Sequence, residues 1–134
     1  MSQRSLTQKL LIKPNYKVLV MNAPQGYADM LLPLPEGAAL STTPGTNFDC
    51  VLAFVYSRAD VESYTRTAAK AVKPDGLLWF AYPKKTSKIK TDITRDVGWD
   101  TIYGMGWQGV AMIAIDDTWA AMRYRPDEKV KRQK

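Results

Sequence analysis

Lys73-Pro74-Asp75-Gly76-Leu77-Leu78-Trp79-Phe80-Ala81-Tyr82-Pro83 is the stretch that decides the fold class. Proline cannot continue a helix, and Asp-Gly supports a turn. The apolar run behind it is too continuous for a strand with one wet face, so both faces must be covered. A helix ending, a tight turn and a strand buried on both sides are the marks of an α/β sheet. The segment after it, Lys84-Lys85-Thr86-Ser87-Lys88, is polar and basic. It leaves the carboxyl end of that strand, where such sheets hold their ligands.

Working outward, two further apolar runs read as buried strands: Lys17–Asn22 and Phe48–Tyr56. Between them, Ala23-Pro24-Gln25-Gly26-Tyr27 reads as a turn into a short helix over about 25–32, and a weak strand comes next near Ala38–Ser41. Ser57-Arg58-Ala59-Asp60 has the form of a capping box, serine at the cap and an acid three residues on. Val61, Tyr64, Ala68 and Val72 then share one helical face. Thr91-Asp92 reads as the cap of a helix to about Val97. Gly109–Ile115 and Thr118–Arg125 are two last strands, and the Asp116-Asp117 link is too short for a crossover, so they form an antiparallel hairpin. Residues 1–16 read as an arm or short helix, and 127–134 as a basic tail.

The chain has 134 residues, with 46% hydrophobic and 24% charged residues and a net charge of +6. That fits one globular domain, 1–126, with one core. There is one cysteine, Cys50, and no histidine. A disulfide framework and a cysteine–histidine metal site are therefore excluded, as is the commonest general base. Cys50, inside an apolar run, reads as an inert core residue beside Trp79. Neither a signal pattern nor an apolar run of about 18 residues is present, so the expectation is a cytoplasmic protein without a membrane span.

The predicted order β-α-β-β-α-β-α-β-β gives a single three-layer Rossmann-like α/β domain. Its sheet is mostly parallel and six-stranded, in the order 2-1-3-4-6-5, with a C-terminal antiparallel hairpin. The strand Phe48-Asp49-Cys50-Val51, the helix, the Lys73-Pro74-Asp75-Gly76 turn, the apolar strand and the hairpin together resemble the class I S-adenosylmethionine-dependent methyltransferase fold. The resemblance runs from about Ile12 to Arg125, with the second and third βα units shortened or absent. The chain also resembles a family of small bacterial proteins on that plan. The marks are Pro83-Lys84-Lys85, Lys88-Ile89-Lys90-Thr91-Asp92 and Asp116-Asp117-Thr118-Trp119.

The resemblance implies an acid and closely spaced glycines after the first strand, and an acid after the second to hold the cofactor's ribose. Here the first turn is Asn22-Ala23-Pro24-Gln25-Gly26-Tyr27, with one glycine and a proline that lacks an N–H. The expectation is that S-adenosylmethionine does not bind and that the domain is non-catalytic. The alternatives are an active methyltransferase with an atypical cofactor loop, and a nucleic-acid accessory protein using the basic loop and tail.

The candidate ligand-binding residues lie on one predicted rim. They are Asn22, Gln25, Gly26 and Tyr27 after the first strand, then Ser57, then Tyr82. Lys84, Lys85, Ser87, Lys88, Lys90, Thr91 and Asp92 complete the set. Ammonium groups, hydroxyls and a helix start together suit phosphate or another anionic small molecule, or else a protein partner. Their spacing is not that of a P-loop. If the lysines converge near Asn22–Tyr27, the tyrosines Tyr27, Tyr56 and Tyr82 could add a stacking platform. Asp92, Asp96 and Asp100 would share a face if their helix were continuous, and Asp116-Asp117 reads as a hairpin turn.

Overall fold

The computed structural model describes residues 6–32, 34–43, 45–94 and 97–127. It contains a six-stranded sheet in the order β2-β1-β3-β4-β6-β5. The strands are β1 (Lys17–Met21), β2 (Ala39–Ser41), β3 (Phe48–Phe54), β4 (Val72–Pro83), β5 (Trp107–Ala114) and β6 (Trp119–Pro126). β1 pairs in parallel with β2 and β3, and β3 with β4, while β6 runs antiparallel to both β4 and β5. The predicted order and directions are those observed. Residues 128–134, predicted as a basic tail, and 1–5 of the predicted arm lie outside the described residues.

Each face of the sheet has its own apolar layer, as the unbroken runs of β1, β3 and β4 require. On one face Leu19, Val51, Phe80 and Tyr124 pack under helix α2 (Arg58–Ala71) and the short α3 (Asp100–Gly104). The α2 residues that turn inward are Val61, Thr65, Ala68 and Ala71. On the other face Val18, Cys50, Trp79 and Ala121 pack under a thin cover, the one-turn helix α1 (Leu6–Lys9) and a 3₁₀ turn at Ala28–Leu31. The helix expected over about 25–32 is thus shorter than predicted. The cover is tied down through Trp79, whose Nε1–H donates to Leu10 O at 3.1 Å. Cys50 and Trp79 are buried on adjacent strands, as expected.

The stretch that decided the fold class behaves differently in detail. No turn separates α2 from β4: the helix ends at Ala71 and the strand begins at Val72. Val72 pairs with Phe48, and the register resumes only at Leu77 opposite Cys50. Lys73–Gly76 therefore bulge out against the single residue Asp49. Gly76 is needed there, since a Cβ would lie 2.8 Å from Val72 Cγ2 and 3.1 Å from the Asp49 carbonyl. Asp49 holds the bulge from the facing strand. Its Oδ1 meets Lys73 Nζ at 2.8 Å, and its Oδ2 accepts from the Lys17 N–H at 2.8 Å.

Candidate functional site

The carboxyl ends of β1, β3 and β4 meet at one rim, and the β5–β6 hairpin lies there too, because Trp119 pairs with Pro83. At the end of β1, Asn22 takes a left-handed conformation, φ 59°, and its amide donates to Phe54 O at 2.9 Å. That bond bridges the tops of β1 and β3. Gly26 also has positive φ, 86°, with open space where a Cβ would stand. Its role is conformational: it turns the chain so that Tyr27 lies over the sheet rather than away from it.

Tyr27 joins the first turn to the far end of the chain. Its hydroxyl donates to Asp116 Oδ2 at 2.6 Å, across 89 residues of sequence. Its ring stands edge-on to Phe54 and to Trp119, with centroids 5.7 and 6.1 Å away. Trp119 in turn meets Phe54 and Tyr56, each at 5.0 Å and near-perpendicular. Edge-to-face contacts are the favoured geometry for such rings. Together the four pack on one face of the sheet at the end of β3 and lock the first turn to the hairpin.

The electrostatics fit this closure. Burial, then the Asp116 carboxylate, pushes the Tyr27 hydroxyl up to about 12. Burial works against the Asp116 charge, but its donors outweigh it: the Tyr27 hydroxyl and the Trp119 and Thr118 N–H groups, with Lys84 nearby. The carboxyl is held below the usual carboxylate range.

Ser57 caps α2 as predicted, accepting from the Asp60 N–H, while Asp60 accepts from the Tyr56 N–H. A second carboxylate arrives from far along the chain: Asp92 Oδ1 accepts from the Arg58 N–H at 2.8 Å. Three donors around this helix start are thus already taken, and Ser57 and Asp92 serve the cap.

The basic loop leaves β4 at the rim, with the Lys84 N–H continuing the ladder onto Thr118 O at 2.7 Å. The helix expected over 91–97 is absent from the described residues of that span, and Arg95 and Asp96 lie outside them. The loop hydroxyls are engaged locally instead. Ser87 Oγ donates to Lys84 O and accepts from Ile89, and Thr91 Oγ1 accepts from the Ile93 N–H. Such short-range bonds offer the backbone an alternative to a helix. Ile93 sinks into the layer under α2 and Ile89 packs on the opposite layer, so the loop straddles the sheet.

The lysines are spread along the loop. Lys84 lies near Asp116, while Lys85 borders a small apolar groove of about 230 Å³ with Tyr82, Thr94 and Met112. Lys88 and Lys90 are exposed. The three tyrosines do not share a platform. Tyr82 points to the α2 face, 5.5 Å from Trp99, with its hydroxyl 3.2 Å from Met112 Sδ. Tyr27 and Tyr56 lie against Trp119 on the other face. Asp100 begins α3 and pairs with Arg58 at 3.4 Å, away from any continuous acidic face. Among the described residues no group of three or more histidine, cysteine or acidic side chains is placed to hold a metal.

Beside the first turn a cleft of about 320 Å³ remains, lined by Val20, Asn22, Pro24, Gly26, Asp29 and Thr42. Asp29, on the 3₁₀ turn, and Thr42, just past β2, were not among the predicted residues. Asp116 and Trp119, which organise the rim, were missed as site residues as well. The strand order contained the signal for these two: β6 antiparallel to β4 must begin where β4 ends.

No protein-family model matches the sequence, and no curated protein matches it. Solved structures do match in fold. The DhpI–SAH complex superposes with a TM-score of 0.56 at 14% identity, over 91% of this chain and 82% of that one. A SAM-dependent methyltransferase from Aquifex aeolicus gives 0.54 at 10%, over 89% and 86%. A ribosomal protein L11 methylase from Lactobacillus delbrueckii gives 0.54 at 11%, over 89% and 73%. At these identities the likeness concerns the fold, which is methyltransferase-like and of the Rossmann type.

Proposed function

We propose that this chain is a methyltransferase-like domain without methyl-transfer activity, and that its carboxyl rim binds an anionic small molecule. One observation carries the first half. The Tyr27–Asp116 bond and the packed rings of Tyr27, Phe54, Tyr56 and Trp119 tie the first turn down to the hairpin on one sheet face, in place of a glycine-rich turn that wraps a ligand. The residues fit S-adenosylmethionine poorly on other grounds too. Pro24 offers no N–H, Gly26 is the turn's only glycine, and the Asn22 amide is committed to Phe54 O. The second half rests on charge. Asp60, Asp92 and Asp116 are held by backbone or hydroxyl donors, whereas Lys85, Lys88 and Lys90 are exposed on the same rim.

A second reading, an active methyltransferase with an atypical cofactor loop, draws on Asp29. Its carboxylate borders the cleft beside the first turn, where an acid could reach a ribose from an unexpected element. Calorimetry with S-adenosylmethionine and S-adenosylhomocysteine separates the two. The proposal expects no saturable isotherm at micromolar cofactor, and a one-to-one isotherm would overturn it. Titration with phosphate, monitored by amide shifts, should move Lys84–Asp92 in a saturable manner. Flat shifts there would remove the anion from the proposal.

A further inference from the structure

A polar cleft beside the sheet lies at the opposite rim, by the amino ends of the parallel strands. It has a volume of about 420 Å³ and is bordered by Lys13, Tyr16, Asp49, Lys73, Leu77 and Arg123. Volumes of this order suit small ligands. Its wall is the bulge Lys73–Gly76, four residues spent opposite one. Like a smaller β-bulge, this excursion leaves the ladder and re-aims the side chains it carries.

The position of Arg123 is the unusual feature. Alternation along β6 puts Trp119, Ala121 and Arg123 on one face, and Trp119 and Ala121 belong to the buried layer there. Arg123 pairs in register with Trp79. Its chain therefore crosses an apolar floor, and its guanidinium opposes the rise that burial imposes on the Cys50 thiol. Arginine is chosen where planar, bidentate recognition of carboxylate or phosphate matters.

Among the described residues that border the cleft, the charged ones are Lys13, Lys73, Arg123 and Asp49. Both oxygens of Asp49 are in use, one by Lys73 and the other by the Lys17 N–H. Burial opposes its ionisation, but Lys73 and Lys17 outweigh this and hold it charged to below the usual range. Asp49 thus orients Lys73 along the cleft wall and balances its charge, and Lys73 keeps further N–H donors for a ligand oxygen. Leu11, Pro74 and Leu77 supply apolar surface beside the cations.

We infer that this amino-rim cleft is a second binding site, for a small phosphate monoester, with Arg123 and Lys73 on the phosphate, Lys13 at the mouth, and Leu77 and Pro74 against the ester's carbon skeleton. It is independent of the carboxyl rim and of any methyltransferase ancestry.

The test is a titration of the full chain, labelled with nitrogen-15, with glycerol 3-phosphate, inorganic phosphate and succinate in separate arms. Saturable amide shifts in 11–16, 73–77 and 123 with glycerol 3-phosphate are expected at a Kd of about 1 mM or below. Tighter binding of the ester than of inorganic phosphate supports the apolar contacts. Stronger binding of succinate than of either overturns the phosphate assignment. Lys13→Glu, a change at an exposed position, should weaken the ester about tenfold or more, since a lost charged contact has that size. Arg123→Lys should weaken it similarly while keeping the charge. If Arg123→Lys does not fold, Lys13→Glu alone decides. Unchanged affinity in Lys13→Glu, no saturation, or shifts confined to Lys84–Asp92 would each overturn the inference.

Discussion

The two rims of this sheet are built from the same strands and have opposite characters. At the carboxyl rim, aromatic rings and a hydroxyl–carboxylate bond knit the first turn to the hairpin, and the acids are taken up in caps and turns. At the amino rim, a bulge opens a cleft whose described lining includes Lys13, Lys73, Arg123 and the engaged carboxylate of Asp49. Ligands in open α/β sheets ordinarily lie beyond the carboxyl ends of the strands. That rule stems from where loops and helix starts converge, and it holds only while those groups are left available. Here the α2 start is capped by Ser57, Asp60 and Asp92, so much of the usual anion-binding capacity is spent internally. The amino rim acquires its polar cleft by another route, a strand irregularity fixed by Gly76 and Asp49.

The contrast breaks most visibly at Trp119. If this ring is the keystone of the closed rim, Trp119→Ala should cost about 3–5 kcal/mol, the range for a large buried aromatic. Urea denaturation measures it. A loss below about 1 kcal/mol would mean that the rim closes without Trp119 and is looser than the contacts imply. No comparable loss is expected from Tyr16→Phe at the amino rim, where the side chain borders open space.

A smaller effect separates the rims by pH. Tyr27→Phe should cost about 1–2 kcal/mol at neutral pH, the scale of one hydrogen bond to a charged group, partly exposed. The Tyr27 pKa is raised in the folded state, to about 12. Its contribution is therefore fully present below the ordinary tyrosine value near 10 and is lost as pH rises through about 12. Asp116 and Asp49 are both depressed, so each stabilises above the ordinary carboxylate range and is lost as pH falls through its folded value. Wild type should lose stability at both extremes. Tyr27→Phe should reduce the alkaline limb without removing it, since burial also raises Cys50 and Tyr124, and Asp49→Asn should reduce only the acid limb. An alkaline limb unchanged in Tyr27→Phe would assign that loss to another group.

Cys50 sharpens the comparison from within the core. It lies on the layer that floors the amino-rim cleft, fully buried, with burial pushing its thiol up to about 12. Thiol reagents should label it slowly in native buffer and fast in denaturant. Fast labelling without unfolding would mean that the cleft opens down to the strand.

Much of the fold was legible because it depends on local rules. Apolar runs without alternation required a sheet covered on both faces, and a two-residue Asp116-Asp117 link permitted only a hairpin. Ser57 and Asp60 announced the α2 cap. The failures involve partners distant in sequence. Pro74-Asp75-Gly76 has turn chemistry, but the facing Asp49, 24 residues before Lys73, makes it a bulge. Thr91-Asp92 has cap chemistry, but Asp92 caps a helix that begins 34 residues earlier. Tyr82 was assigned to a shared rim although period two already put it with Phe80, on the face away from Tyr27 and Trp119. A capping residue announces that a helix start will be satisfied. It does not say whose.

The smallest expected effect on stability tests the carboxyl rim itself. Lys85 and Lys88 are exposed, and no ion pair involving them occurs among the described residues. The Lys85→Ala, Lys88→Ala double variant should change stability by no more than about 0.5 kcal/mol, as surface substitutions do. Loop conformation should persist, because the backbone is held by Ser87, Thr91, Ile89 and Ile93 rather than by the lysines. Phosphate-induced amide shifts in Lys84–Asp92 should nevertheless vanish, while any in 73–77 remain. If the shifts in Lys84–Asp92 survive the double variant, the anion is held by something other than these ammonium groups. If the variant unfolds, the loop is structural. In either case the exposed lysines no longer support a ligand at this rim, leaving the amino-rim cleft as the molecule's stronger candidate.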